Sequence, residues 1–354
     1  MPGTSSQRLP ARDLDHVLEH TRGVWEELRG ARLFVTGGTG FFGRWMLETL
    51  LRANDDLGLG AEATVLTRDP RAFAAAAPDL AVDPAVHLLG GDVRSFAFPS
   101  IACTHVLHMA TETALGGSGS ASFDTAARGT SRVLAFAAAS GVESLLLTSS
   151  GAVYGTQPPD RERLDEDYIG APRAEDPSAG YAHGKRAAEF LCSVAAAETN
   201  LRVKIARCFA FVGPLLPLDA NFAIGNFIGD AELKDRIEVA GDGTPRRSYL
   251  YAADLAVWLW TILVRGESGR PYNVGSEADV SISELASLVG SVLNPAIPVH
   301  VQGTPVPGAP PKRYVPSTAR AARELRLHTR VDLPDAVRRT ADWYFPERLH
   351  RRPG

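Results

Sequence analysis

Apolar residues in the first two hundred positions fall into two alternating textures. Short runs are apolar at nearly every position: ARLFVT at 31–36, ATVLT at 63–67, VHLLG at 86–90, THVLHMA at 104–110 and ESLLLTS at 143–149, each bounded by polar or glycine-bearing segments. Longer stretches carry apolar residues at three- and four-residue intervals, as in FFGRWMLETLLRAN and ASFDTAARGTSRVLAFAAAS. The short runs lack polar/apolar alternation, so they predict strands buried on both faces. Helices between such strands specify an α/β chain with a parallel sheet covered on both faces. AGYAHGKRAAEFLCSVAAAETN predicts a further long helix and LRVKIARCFAF a further strand.

The ends differ from this middle. Leu14, Val17, Leu18, Trp25 and Leu28 recur at helical spacing, predicting a helical extension over 1–30 that packs across the next domain. From Gly213 onward Pro and Gly become frequent, and short strand-like and helix-like segments alternate. The expected organisation is an extension at 1–30, a dinucleotide-binding domain at 31–212 and a smaller C-terminal α/β lobe at 213–350, interwoven with the first domain rather than joined by a linker.

Composition adds limits. At 354 residues and 45% hydrophobic, the chain can bury a full core. A formal charge of -4 and a pI near 6.2 give no sign of a general affinity for nucleic acid or anionic membrane. No apolar run reaches 18 residues and the N-terminus has no apolar signal core, so a cytoplasmic protein is expected. Cys103, Cys192 and Cys208 have no paired spacing and read as buried thiols rather than metal ligands or a disulfide.

The chemistry sits at strand ends. TGGTGFFG places Gly37, Gly40 and Gly43 three apart, with Phe41 and Phe42 between the last two, after a strand and at the start of a helix. Such glycines let the backbone approach a pyrophosphate, which the helix N-terminus then binds; NAD(P) is the expected cofactor. The second strand ends in VLTRDP, with Thr67 where a carboxylate would bind the ribose diol of NAD, and Arg68 beside it. A hydroxyl followed by a guanidinium favours NADP over NAD; the alternative is that Arg68 stacks on adenine and Asp69 reaches the ribose. Asp92 and Val93 end the third strand, where the acid can bond the adenine amino group, and Ala110 brings backbone past the cofactor. Tyr181 and Lys185 in YAHGK share one helical face. A lysine ammonium, together with a cationic nicotinamide, is expected to lower the tyrosine pKa toward the working range, while Ser150 of TSSGAVYG orients a reacting hydroxyl.

These motifs in this order resemble an extended short-chain dehydrogenase/reductase of the nucleotide-sugar epimerase/dehydratase family over nearly all of residues 30–345. FVGP at 211–214, GDGTPRRSYLYAADLA at 241–256, PYNVGS at 271–276 and KRYVPSTARAARELRL at 312–327 are similar to further elements of that family. The resemblance implies a Rossmann-type doubly wound parallel sheet and a smaller C-terminal α/β lobe that holds a nucleoside diphosphate sugar. Arg247 and Arg313 match positions that contact its diphosphate or nucleotide, unless one of them pairs instead with Asp254 or another carboxylate. It also implies a homodimer through helices that include 121–140 and 178–199.

Three positions depart from the family pattern. Ala126 replaces a mainly structural asparagine. Ala210 replaces one that contacts substrate phosphates, a contact that Asn221 or Asn226 could take over. Gly151 and Ala152 stand where the 4,6-dehydratases carry Asp and Glu for the elimination of water. A C4 epimerase needs no such pair, and the resemblance therefore implies C4 epimerisation through a 4-keto intermediate, with Ser150, Tyr181 and Lys185 as catalytic residues. The alternatives are an NADPH-dependent 4-keto-sugar reductase, a dehydratase whose displaced acid is Glu112, or a non-catalytic cofactor-binding sensor. Glu112 could equally stand at the mouth of the cleft.

Overall fold

A computed structural model describes residues 7–111, 118–220 and 222–350. The parallel sheet is built from β1 (Arg32–Thr36), β2 (Glu62–Thr67), β3 (Val86–Gly90), β4 (His105–His108), β5 (Ser144–Ser150) and β6 (Arg202–Cys208). After them come β7 (Phe211–Val212), β8 (Ile237–Val239), β9 (Arg246–Ser248), β10 (Leu250–Tyr251), β11 (Pro271–Val274), β12 (Asp279–Ser281), β13 (Val299–Val301) and β14 (Arg313–Tyr314). The main sheet has seven strands in the order β11-β6-β5-β4-β1-β2-β3, with every pair parallel. The order reverses between β1 and β4, and that switch point opens a crevice beyond the carboxyl ends of the strands.

The uniform apolar runs have their cause in two cores. Leu33 and Val35 of β1 pack into one cluster, while Phe34 between them packs into the other. Both faces of the strand are buried, so no polar position alternates. The second face is closed by the helices Gly119–Ala139 and Gly180–Glu198, the first by Phe41–Leu57 and by Ala252–Arg265, where every residue from Ala252 to Leu263 is buried. Among the described residues no helix is long and apolar enough to cross a membrane.

The N-terminal segment lies on the first face as helices Ala11–His20 and Arg22–Trp25, with Val17, Trp25 and Leu28 buried. The Trp25 and Trp260 rings lie 4.9 Å apart. Buried Asp13 accepts from the Tyr251 hydroxyl at 2.7 Å and from Arg339 at 2.9 Å. Asp254, a possible partner for Arg247, is committed elsewhere: it bonds His16 at 2.8 Å and accepts from the backbone N–H of Arg330 and Val331.

The C-terminal residues form small sheets beside the crevice. In one of them β9 is central, antiparallel to β12 and parallel to β14, with Arg246 opposite Arg313 and Arg247 opposite Tyr314. That register decides which side chains reach the crevice.

Candidate active site

The crevice is a cavity of about 1120 Å³, above the usual range for a single small ligand of about 300–1,000 Å³. Its first wall is the glycine loop. Gly37 has φ 75°, and a Cβ there would lie 2.6 Å from the backbone nitrogen of Ala110. A Cβ on Gly43 would meet the Gly37 carbonyl oxygen at 2.3 Å, so this glycine lets the helix sit against the loop rather than lining the cavity. Gly40 caps the helix Phe41–Leu57 with no side-chain hydrogen bond, leaving the first-turn N–H groups facing a cavity that Gly40, Phe41 and Phe42 line. Thr111 and Thr125 also line it, and neither of their buried hydroxyls has a hydrogen-bond partner among the described residues. A loop that admits no Cβ, N–H groups at a helix end and orphaned hydroxyls together fit a phosphate-bearing cofactor.

Thr67, Arg68, Asp92, Val93 and Ala110 line the same cavity. Asp69 lines it too, while its Oδ1 caps the helix Pro70–Ala76, accepting from Arg71 and Ala72 at 3.0 Å each. Asp92 is gripped by both arms of Arg94 at 2.8 Å, which holds its carboxyl down to about 2. Arg94 also pairs with Asp124 at 3.1 Å.

The centre of the cavity holds Ser150, Tyr181 and Lys185 together. β5 ends at Ser150, whose Oγ accepts from the Ala152 N–H at 3.1 Å as a one-turn helix begins. Lys185 is buried and donates to the Thr148 carbonyl at 2.7 Å, with its Nζ 5.9 Å from the centre of the Tyr181 ring. Burial pushes the Tyr181 phenol up, and Ser150 opposes the rise. Lys185 is itself drawn down to about 8 by burial, because no solvent supports its charge. Behind it, His108 bridges Thr36 at 2.7 Å and Thr130 at 3.0 Å, and burial brings its ring down to about 3.

A polar network that the motifs did not reveal fixes the exit of β5. Ser149 donates to Glu189, and Arg207 forks onto Glu189 at 2.7 Å while donating to the Tyr154 hydroxyl at 2.9 Å. Tyr154 donates in turn to Asn273 of β11 at 2.7 Å, tying the catalytic strand to the C-terminal lobe.

The far wall differs from the family carry-over. Arg247 lines the cavity, its guanidinium 5.6 Å from the centre of the Tyr314 ring. Arg313 does not line it: its guanidinium donates to Asp279 at 3.0 Å, an acid that Arg246 also holds. Successive residues of a strand face opposite ways, so Arg246 and Arg313 share one face while Arg247 and Tyr314 share the other. Tyr314, which the motif reading missed, thus enters the site and stands 3.4 Å from Ser150 Oγ. Asn226 lies outside the cavity wall, its amide oxygen buried with no hydrogen-bond partner among the described residues. Glu112 and Asn221 fall outside the described residues.

Gly151 is closed in. A Cβ there would meet the Phe209 ring at 2.7 Å and the Tyr314 hydroxyl at 2.8 Å. Two aromatic side chains occupy the space into which an acid at this position would grow.

Comparison with known proteins agrees with this geometry. A model described as the NAD dependent epimerase/dehydratase family matches residues 33–275. A UDP-glucuronic acid decarboxylase from Arabidopsis thaliana is 27% identical over 316 residues, which cover 87% of this chain and 68% of that protein. Among solved structures, a dTDP-glucose 4,6-dehydratase from Streptomyces venezuelae with NAD bound aligns at a TM-score of 0.73 and 24% identity, over 90% of this chain and 98% of that one. A UDP-glucuronic acid 4-epimerase from Bacillus cereus in complex with NAD aligns at 0.74 and 19% identity, over 90% and 99%. At these identities the solved structures show a shared fold.

Proposed function

Because this chain belongs to the NAD dependent epimerase/dehydratase family, we propose that it converts a nucleotide-activated sugar through a 4-keto intermediate, with C4 epimerisation as the net reaction. The observation that carries this reading is Ser150, Tyr181 and Lys185 converging on one cavity whose Gly151 corner is filled by Phe209 and Tyr314. A bound nicotinamide would accept the hydride from C4 and later return it. Tyr181 takes the hydroxyl proton, Ser150 holds the reacting oxygen by hydrogen bonding, and Lys185, fixed on Thr148, sets the electrostatics beside the phenol. With no carboxylate at 151 or 152, no acid–base pair stands there to expel water. Arg247 supplies a guanidinium suited to the sugar diphosphate.

NADP is favoured by the Arg68 guanidinium at the cavity, at the end of a strand that carries Thr67 in place of an acid. On this reading Arg68→Ala weakens NADP binding by about tenfold or more and leaves NAD binding nearly unchanged in a fluorescence titration. A homodimer is supported by exposed Phe123 and Phe190 on the helices Gly119–Ala139 and Gly180–Glu198.

A second reading has its own support. The Arabidopsis relative is a decarboxylase, and a sugar with a 4-ketone and a C5 carboxylate is a β-keto acid that loses carbon dioxide without an elimination pair. Mass spectrometry of products from a panel of UDP-, dTDP-, GDP-, CDP- and ADP-sugars, including a uronic acid, separates the readings. Unchanged mass with a new chromatographic peak supports epimerisation, loss of carbon dioxide the decarboxylase, and loss of water contradicts both. Tyr181→Phe is expected to lower turnover at least about 100-fold while still binding cofactor, and near-normal turnover would sink either reading.

A further inference from the structure

One serine oxygen lies between the two tyrosines of the cavity. Ser150 Oγ accepts from the Ala152 N–H at 3.1 Å, stands 3.4 Å from the Tyr314 hydroxyl and lines the same cavity as Tyr181. A serine hydroxyl has one hydrogen to give and two lone pairs to fill. The Ala152 N–H takes one lone pair. If Tyr314 fills the other, the single hydrogen of Ser150 has only Tyr181 and the open cavity to turn toward. If Tyr314 accepted instead, that hydrogen would be drawn away from the base.

The surroundings of Tyr314 decide between these. Its ring is clamped by Phe209 at 4.7 Å and by the Arg247 guanidinium at 5.6 Å. A guanidinium can only donate, so Arg247 does not compete for the tyrosine proton. Burial also pushes the Tyr314 phenol well up, so it keeps that proton. We propose that Tyr314 is a positioning residue: by donating to Ser150 Oγ it turns the one Ser150 hydrogen onto the oxygen of Tyr181, and onto the reacting oxygen when substrate is bound.

The substrate clause rests on the proposed reaction; the orientation of Ser150 does not. The other groups around the base are Lys185 and Glu189 on its own helix, Cys208 at the end of β6, His108 behind Lys185, and Arg247 across the cavity. Tyr314→Phe changes none of these side chains and deletes one oxygen.

The test needs no sugar. Tyrosinate absorbance is titrated against pH for the whole chain with cofactor bound, and subtracting the Tyr181→Phe curve isolates Tyr181. In a Tyr314→Phe background, with the matching double variant subtracted, Tyr181 is expected to titrate about one pH unit higher, since its phenolate loses a directed donor. Ser150→Ala is expected to produce a similar rise, and adding Tyr314→Phe to it should move Tyr181 no further. An unmoved Tyr181 in Tyr314→Phe overturns the proposal. So does a full shift that persists in the Ser150→Ala background, which would mean that Tyr314 acts without the serine. A wild-type protein that converts no sugar in the panel yet shows the expected shifts would sink the proposed reaction and leave this inference standing.

Discussion

Gly151 is the position where a side chain cannot go. Phe209 and the Tyr314 hydroxyl both lie within 3 Å of the point where its Cβ would begin. Installing the missing acid is therefore not a route to a dehydratase. Gly151→Asp is expected to cost about 1–3 kcal/mol of stability through overpacking, and to depress turnover with it. Denaturation curves and product masses check this, and a stable variant that released water would contradict it. Residue-scale reading is plainest where one chemical type fills a position and blindest where two neighbours could serve. Ser150, Tyr181 and Lys185 were legible because no other spacing offers that set. Arg313 and Tyr314 are adjacent, and only the register of β14 against β9 tells which one enters the cavity.

At the scale of elements, legibility followed length. The strands of the main sheet and the long helices repeat their pattern over enough positions to be read directly, and the glycine loop follows from the strand and helix on either side of it. β9 and β14 span three and two residues, too few to carry a period, so the wall that they build was invisible in the sequence. The pairing of Asp92 with Arg94 was hidden for another reason: charges two apart meet only because the loop after β3 folds back. The loop at Gly37 is the element most exposed to a single change. Gly37→Ala must adopt a φ of 75° and push against the Ala110 backbone, and it is expected to weaken cofactor binding at least about tenfold by calorimetric titration.

The whole molecule carries the cost of burying His108. The folded protein holds this ring neutral down to about pH 3, whereas an unfolded chain protonates it below its ordinary value of 6.5. The unfolded state therefore binds the extra proton between those limits. Stability falls as pH drops through the window, and above 6.5 the ring adds no slope. At pH 4.5 this amounts to about 2–3 kcal/mol. Urea denaturation of a His108→Asn variant is expected to show a correspondingly smaller loss between pH 7.5 and 4.5. Asp13 offers a second test at this scale: Asp13→Ala leaves Tyr251 and Arg339 without their shared acceptor and is expected to cost about 3 kcal/mol.

That same aspartate imposes an order in time. A chain leaves the ribosome N-terminus first, at about 5–20 residues per second. Asp13 must wait 238 residues for Tyr251 and 326 for Arg339. The second wait is roughly 16–65 s at that pace. Until then the acid stays in water, and its helix can close only against the helix Phe41–Leu57, where Arg52 donates to Asp15 at 2.8 Å. The helix Ala11–His20 is thus fully secured only after most of the later fold has been made, and a nascent chain that already holds the glycine loop and Tyr181 still lacks the tie from Asp13 to Tyr251 and Arg339.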